Sequence, residues 1–470
     1  MKKRKPSNKI IFTSITIISL ILFSSVYLSN GFENGGGKYS LLIKKNPITE
    51  KSVLNSIDAA DGQQNFHKEF VVGAIIPFTG SYASIGKSTK VALEKAEYDV
   101  NKYFEKMNSS SRFNLVMANS KSSPEDSLEA IKQLHSFGAK IIVGPATSTA
   151  VSAAKEYADT NNIILISYSS TSPLLSLEGD NLFRLVPDDI NQGKVIAQRM
   201  IDDGIKVVVP IWRGDIYGNE LYKSTKNYFE KLGGKIEEGI NYKPHTGKFA
   251  TSLHRINFIM WNQYLKKLSH ILENATRTID PRHVGIYLVS FDEVTPILIQ
   301  SNEHHALQQV KWYGSDASAQ NMQIIRNHDA ARFAEMINFS NPLFHVNLTN
   351  SSAELIEKEI EKKLHGSSAL TYPVLAYDAF WVTALSLEKI IDNKTYDNNT
   401  DMKIDIDSLK KVINATAAEY NGISGNIILN AVGDRTNANY DMWSVARPLD
   451  DRENYVWKHN IAGNYSKPPD

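Results

Sequence analysis

Apolar runs of strand length alternate with stretches of helical periodicity along most of the chain after residue 70. The runs are rich in Val and Ile, and the helical stretches repeat apolar residues every three or four positions. The first predicted strands are Phe70–Pro77, Phe113–Ala118, Lys140–Val143, Ile163–Ser167 and Phe183–Pro187. The predicted helices between them are Ser88–Met107, Ser123–Phe137 and Ala150–Thr160. Such alternation is typical of right-handed βαβ units, so the pattern predicts an α/β fold with a parallel sheet.

A second series of the same kind follows. Its predicted helices are Asn191–Asp203, Asn219–Leu232, Thr251–Asn274 and Asp292–Ser301, and its predicted strands are Lys206–Ile211, Lys235–Tyr242, Val284–Val289 and Val310–Gly314. We interpret the stretch around Asn257–Asn274 as an insertion. The last third predicts helices Ser352–Leu364, Pro373–Asp392 and Ile406–Ala418 and strands Gly422–Leu429 and Tyr440–Val445. Two successive α/β series predict two lobes, and ligand clefts commonly lie between lobes.

Hydroxyl residues follow two neighbouring predicted strands. They are Ser148 and Thr149 after one strand and Ser169, Ser170 and Thr171 after the next. Open α/β sheets bind ligands beyond the carboxyl ends of their strands, so these hydroxyls are expected at a ligand site. The N-terminus of the helix that begins near Ser148 favours an anion such as a carboxylate. The alternative is that Ser148 or Thr149 only caps this helix.

The composition narrows the class of protein. The 470 residues carry 52 basic and 51 acidic side chains, a net charge of +1, which provides no field for nucleic acid or an anionic membrane. There is no cysteine, so disulfides, thiolate metal sites and thiol nucleophiles are excluded. The chain has no nucleophile elbow, phosphate-binding loop or zinc-protease motif, and we expect neither an enzyme nor a cofactor. His304 and His305 beside Glu303 are expected on a solvated face rather than at a metal.

The N-terminus predicts an extracytoplasmic protein. Five basic residues precede the uncharged segment Ile10–Leu28, as in a signal peptide or signal anchor, and we favour an uncleaved anchor with the rest of the chain outside. Residues 29–69 are polar and are predicted to be a flexible stalk. Nine Asn-x-Ser/Thr sequons agree with an exterior location: Asn108, Asn274, Asn338, Asn347, Asn350, Asn393, Asn398, Asn414 and Asn464.

An ordered set of motifs marks a family resemblance from about Phe70 to the C-terminus. The motifs are Val72–Gly86, Ser122–Leu134, Ile141–Ser148, Ile166–Leu175, Phe183–Gly193, Ile216–Leu221, Tyr377–Lys389 and Gly422–Arg435. In order and spacing the chain resembles the type 1 periplasmic binding proteins, specifically the branched-chain amino acid (leucine/isoleucine/valine) binding family of ABC transporters.

The resemblance implies two Rossmann-like lobes joined by a three-crossing hinge, which close on a small ligand. Lobe I is expected to comprise residues 70–187 plus 343–439, and lobe II residues 188–342 plus 440–470. The implied function is that of a monomeric solute-binding protein that passes an amino acid to an ABC permease in the membrane.

The resemblance also implies how an amino acid would be held. Ser148, Ser169 and Thr171 match positions that bind the α-carboxylate, and Asp316 falls where an acidic residue binds the ammonium. Tyr217 matches a tyrosine that packs over the ligand, and Phe291, Tyr377 and Tyr82 are further candidates. Asp316 is alternatively a turn or cap residue. Asn119 and Ile85 depart from the family pattern, which leaves the side chain of the ligand open.

Two other functions stay open at this point. The same fold serves as the sensing ectodomain of receptors, which here would need a separate membrane partner. A related small polar solute, such as an amide or urea, could replace the amino acid.

Overall fold

The computed structural model describes residues 68–244, 254–346, 351–364, 370–392, 405–436, 438–448 and 454–465. The predicted signal segment, and the predicted stalk up to residue 67, lie outside these ranges. The first strand begins at Lys68, so the last two residues assigned to the stalk belong to the folded body. None of the described helices is both long enough and apolar enough for a bilayer crossing.

The first sheet contains five described strands, all parallel, in the order β2-β1-β3-β4-β5. They are β1 (Lys68–Ile76), β2 (Ser111–Asn119), β3 (Ile141–Val143), β4 (Ile164–Ser167) and β5 (Leu182–Arg184). The helices that connect them are α1 (Ala83–Lys106), α2 (Pro124–Ser136) and α3 (Ser148–Thr160). Successive side chains along each strand point alternately into two apolar layers, one on each face of the sheet. Ile75 and Ile142 pack beneath α2 and α3, whereas Ala74 and Val143 belong to the cluster that includes α1.

The second sheet contains eight described strands in the order β15-β14-β11-β10-β9-β6-β7, with β8 also paired to β6. They are β6 (Val207–Arg213), β7 (Lys235–Ile236), β8 (Ile240–Tyr242), β9 (Val284–Val289), β10 (Lys311–Tyr313), β11 (Ser340–Phe344), β14 (Tyr440–Ala446) and β15 (Val456–Tyr465). Only β14 and β15 are antiparallel to their neighbours. The helices in this part of the chain are α4 (Asp189–Asp202), α5 (Ile216–Lys231), α6 (His254–Thr276), α7 (Val294–Ser301), α8 (Met322–Arg326) and α9 (His328–Met336).

The chain crosses between the two sheets three times. It leaves the first sheet after β5, returns after β11, and crosses again just before β14. The returning segment contains α10 (Ser351–Leu364), α11 (Thr371–Asp392) and α12 (Ile406–Glu419), of which α10 and α11 pack against α1. The short pair β12 (Asn421–Gly422) and β13 (Gly425–Asn426) follows. This is the α/β fold of two parallel-rich sheets with a three-crossing hinge that the family resemblance implies.

Local chemistry explains where the helices begin. The side chains of Ser123, Asp188 and Asp215 each accept a backbone N–H in the first turn of α2, α4 and α5. Gly138, with φ of +86°, ends α2 in the left-handed conformation that glycine adopts without strain. Such capping residues separate the apolar segments of the chain. The sequence pattern alone therefore located most of the helices and strands.

Two predicted elements differ from the structure. The predicted strand Lys235–Tyr242 is split into β7 and β8, and Gly422–Leu429 forms only the short β12–β13 pair because Gly425 turns the chain at φ +86°. The predicted helix Thr251–Asn274, which includes the stretch interpreted as an insertion, is found as α6 between β8 and β9. Its Trp261 and Leu265 cover one face of the second sheet.

Candidate functional site

A narrow cavity of about 10 Å³ lies at the carboxyl ends of β3 and β4, where they face the loops after β9 and β10. Its lining consists of Tyr82, Ala146, Thr147, Ser148, Ser169, Tyr217, Phe291, Asp316 and Ala317. Six of the ten predicted binding residues are among them, contributed from both sheets. The structure therefore brings together hydroxyl, aromatic and acidic side chains that are up to 234 residues apart in the chain.

The first wall is the loop before α3. Thr147, rather than Ser148 or Thr149, is the N-cap: its Oγ1 accepts a 3.3 Å hydrogen bond from the Ala150 N–H. The Oγ of Ser148 instead accepts the backbone N–H groups of Thr171 and Ser172, at 3.3 and 3.2 Å. A third contact, with the Ser170 hydroxyl, completes the bonds that tie the Ser148 hydroxyl to the loop after β4. The first N–H groups of α3 add a positive partial charge.

The hydroxyls after β4 divide between the cavity and its support. Ser169 lines the cavity and donates to the Ala146 carbonyl at 2.7 Å. Ser170 donates to the Ser148 Oγ at 3.3 Å, and the Thr171 hydroxyl donates to Asp189 at 2.8 Å. Thr149 Oγ1 is buried without a hydrogen-bond partner among the described residues, but Thr149 is not among the lining residues. Ser170 and Thr171 thus hold the loop in place rather than face the cavity.

The second wall is centred on Asp316, in the turn after β10. One carboxylate oxygen accepts the Tyr217 hydroxyl at 2.5 Å, and the other accepts the hydroxyl of Tyr372. Tyr217 lies in the first turn of α5, whereas Tyr372 begins α11, which packs with the first sheet's α1. Burial raises the pKa of both tyrosines, so both remain protonated donors. Sequence reasoning missed Tyr372, which no local motif marks.

A second buried carboxylate lies behind Asp316. Gln192 connects the two: its Nε2 donates to Asp189 at 2.9 Å, and its Oε1 accepts the Asp316 backbone N–H at 3.0 Å. Burial raises the pKa of Asp189, and the charge of Asp316 raises it further. Burial also raises the pKa of Asp316, although its hydrogen bonds from Tyr217 and Tyr372 oppose that shift. Within the part of the chain that the structure describes, neither carboxylate forms an ion pair.

Three stacked aromatic rings form the apolar side of the cavity. Phe291, just after β9, stacks against both Tyr82 and Tyr217, with centroid distances of 4.4 and 5.1 Å. The Arg213 guanidinium lies 3.5 Å from the centroid of the Phe291 ring and pairs with Asp215 and Glu293. Arg213 therefore holds the Phe291 ring by a cation–π contact, while Asp215 and Glu293 neutralise its charge.

Direct contacts join the two sides above the cavity. Both oxygens of Asp292, beside Phe291, accept from Ser84: the backbone N–H at 3.1 Å and the hydroxyl at 2.5 Å. The Asp292 N–H in turn donates to the Ser81 carbonyl at 2.9 Å. Together with the Tyr372–Asp316 bond, these contacts show that the cleft is closed in this structure.

Tyr377 is not at this site. It lies on α11, and its hydroxyl donates to Asp99 of α1 at 2.9 Å. Among the residues described, no group of three His, Asp or Glu side chains could hold a metal ion. The arrangement can bind a small polar molecule.

Two sheets that close over a small polar cavity define a ligand-binding protein of the type 1 periplasmic binding class. The chain belongs to the family described as "Receptor family ligand binding region", whose profile matches residues 89–447.

Individual relatives agree with this class. An uncharacterised protein of Methanocaldococcus jannaschii is 28% identical over 80% of this chain and 86% of its own length. The crystal structure of the leucine-binding protein LivK from Thermotoga maritima superposes with a TM-score of 0.62 at 18% identity, covering 83% of this chain and 98% of that one. A benzoate complex of an ABC transporter solute-binding protein from R. palustris gives 0.62 at 15% identity, covering 83% and 96%. At such identities the two structures establish the fold.

Proposed function

We propose that the chain is an extracytoplasmic, non-catalytic solute-binding protein that captures an α-amino acid between two closing lobes and delivers it to an ABC permease. The lobes are residues 68–187 plus 345–439 and residues 188–344 plus 440–470, bounds that keep β1 and β11 whole, and the segment Ile10–Leu28 is a membrane anchor. The protein acts as a monomer. The fold neighbours that bind leucine or benzoate leave the ligand class open, so the choice rests on the chemistry of the cavity.

The observation that carries the proposal is the buried carboxyl group of Asp316. The residue is only 3% exposed and is hydrogen-bonded by two tyrosines, yet no described cation pairs with it. An isolated buried carboxylate is costly, and a ligand ammonium would remove that cost through charge-assisted hydrogen bonds.

The opposite wall suits the other end of the same ligand. Ser148 and Ser169 line this wall, and the first N–H groups of α3 supply neutral donors and a positive partial charge for a carboxylate. The stacked rings of Tyr82, Phe291 and Tyr217 form an apolar side for the side chain. The cavity thus combines one wall for each charged group of a zwitterion with an aromatic side.

Thermal-shift measurements and calorimetry on the purified chain test the proposal. Leucine, isoleucine, valine and phenylalanine are compared with 4-methylpentanoate, which is leucine without its ammonium, and with 3-methylbutylamine, which lacks the carboxylate. A ligand at 100 times its Kd stabilises the native state by about 2.7 kcal/mol. We expect an amino acid to raise the Tm and both truncated compounds to fail. Stabilisation by benzoate, an amide or urea, with no response to any amino acid, would overturn the proposal.

A further inference from the structure

Four sequons have both their asparagine and their hydroxyl residue in the described part of the chain: Asn108 with Ser110, Asn274 with Thr276, Asn338 with Ser340 and Asn414 with Thr416. All four asparagines are exposed, whereas non-sequon asparagines such as Asn181 and Asn341 are buried. Attachment of a glycan requires an exposed acceptor asparagine, and all four sequons meet this condition. Their hydroxyl residues therefore distinguish them.

Three of these sequons are obstructed in the folded protein. Ser340 and Thr416 are each 1% exposed, in β11 and α12. The Thr276 hydroxyl donates to the Leu272 carbonyl at 2.9 Å inside α6. An extended sequon with an accessible hydroxyl is therefore not available at these positions without local unfolding.

The Asn108 sequon is different. It occupies the loop between α1 and β2, where Asn108 adopts φ of +55° directly after the helix and its side chain projects into solvent. Ser110 is partly exposed, and neither the side-chain amide of Asn108 nor the hydroxyl of Ser110 is hydrogen-bonded to another described residue. Both groups that define the acceptor motif are thus free on the surface.

The position of this loop is compatible with ligand binding. It precedes β2, so it lies at the amino ends of the first sheet's strands, whereas the cavity lies at their carboxyl ends. Asn338 precedes β11 in the same way, at the amino edge of the second sheet. A glycan on Asn108 would leave the mouth of the cleft uncovered.

We infer that Asn108 is an N-glycan attachment site, an inference that rests on the extracytoplasmic location in the proposed function. The co-reactant is a lipid-phosphate-linked oligosaccharide, supplied with its transferase by the membrane. The Asn108 Nδ2 forms a bond to the anomeric carbon and loses one proton to a base. The bond from that carbon to the phosphate oxygen breaks, and the lipid phosphate leaves with the electron pair.

Peptide mass spectrometry of the full chain, isolated from the cells that produce it, tests the inference. Trypsin cleavage after Lys106 and Arg112 isolates Asn108 in a six-residue peptide, and cleavage after Lys267 and Arg277 isolates Asn274 for comparison. We expect sugar mass on the 107–112 peptide, with occupancy at Asn108 at least equal to that at Asn274.

Two substitutions at one residue provide a matched pair. Ser110→Ala destroys the sequon but keeps Asn108, so the added mass should vanish. Ser110→Thr preserves the sequon and should retain it. An unmodified 107–112 peptide in the native chain, or sugar that persists in Ser110→Ala, would overturn the inference. Amino acid binding by unglycosylated chain from a bacterial cytoplasm is measured separately, so failure here is distinguishable from failure of the proposed function.

Discussion

The hydroxyl of Tyr217 donates a 2.5 Å hydrogen bond to the carboxylate of Asp316 inside the closed cleft. Burial would by itself favour a protonated, neutral carboxyl, and the tyrosine donors oppose it by stabilising the charged form. Tyr217 approaches from the second-sheet side and Tyr372 from α11, so the carboxylate also connects the two sides. Asp316 therefore joins the two sides of the closed cleft, and in the proposed function it would link ligand recognition to closure.

Asp316→Asn should weaken amino acid binding by about 10- to 100-fold, because a hydrogen bond to a charged group contributes about 1.5–3 kcal/mol. The ligand-free protein should keep its stability or gain some, since the substitution removes a buried charge that burial disfavours. Isothermal titration calorimetry measures the affinity and urea unfolding the stability. Asp329→Asn, at an exposed carboxylate, is the control and should change neither. Unchanged affinity in Asp316→Asn would show that Asp316 does not bind the ammonium.

The first wall of the site was predictable because its determinants are local. A Val- and Ile-rich run followed by Ser or Thr specifies a strand end with hydroxyls, and the structure places Ser148 and Ser169 there. The role of Thr147 as the cap was not predictable, because three consecutive hydroxyl residues compete for the same position. Tyr372 was missed because it reaches Asp316 only through packing of α11 in the folded chain.

The missed strands have a similar explanation. β11 carries Asn341 and Pro342, residues that are unfavourable in strands, and it is held in place by pairing with β14, almost a hundred positions later. β15 includes the polar run Lys458–Asn460. Both strands depend on tertiary partners that a local hydrophobic pattern does not contain.

Ser84→Ala should impair closure. It removes the 2.5 Å bond to Asp292 but leaves the Ser84 backbone N–H bond, and we expect affinity to fall about tenfold. Because the contact joins the two sides of the closed cleft, we expect its loss to appear mainly as faster ligand dissociation, measured by stopped-flow displacement. The stability of the ligand-free open form should be unaffected. Ser136→Ala, at an exposed helix end, is the control. Equal dissociation rates for Ser84→Ala and the parent chain would contradict a role in closure.

Asp434→Ala should destabilise the fold strongly. Arg184 is fully buried and donates from Nε and Nη2 to the Asp434 carboxylate, both at 2.5 Å, and from Nη1 to the Ser172 carbonyl at 2.8 Å. Removing one partner of a buried pair leaves the other charge uncompensated, at a cost of about 3–5 kcal/mol. Urea unfolding measures the loss.

The pair formed by Arg282 and Asp280 offers a matched comparison because its residue types are the same and its groups are exposed. Asp280→Ala should cost only about 1 kcal/mol, because an exposed pair contributes little and the main loss is the hydrogen bond by which Asp280 caps the backbone N–H of Arg282. If both substitutions had the same effect, burial would not be what makes the Arg184 pair important. Because Arg184 also holds the Ser170–Ser176 loop, Asp434→Ala should weaken ligand binding as well.

His345→Gln should change how stability depends on pH. The hydrogen bond from His345 to Asp441, 2.8 Å long, raises the pKa of the histidine. Burial alone would raise the pKa of Asp441, but His345 and His459 lower it overall. The histidine's contribution is thus fully present below about pH 6.5, its unfolded pKa, and is lost as pH rises through the higher folded value. The contribution of Asp441 is present above its unfolded pKa of about 3.9 and is lost as pH falls through the lower folded value.

The pair therefore stabilises the fold most between about pH 4 and 6.5. Because His345 is about half exposed, we expect a loss of at most about 1 kcal/mol in His345→Gln at pH 6, and a smaller loss at pH 8. Urea unfolding at the two pH values measures the difference. His305→Gln, at an exposed histidine with no acidic partner among the described residues, is the control. A larger loss at pH 8 than at pH 6 would contradict the raised histidine pKa, since the neutral ring would then be the form that stabilises this crossing of the hinge.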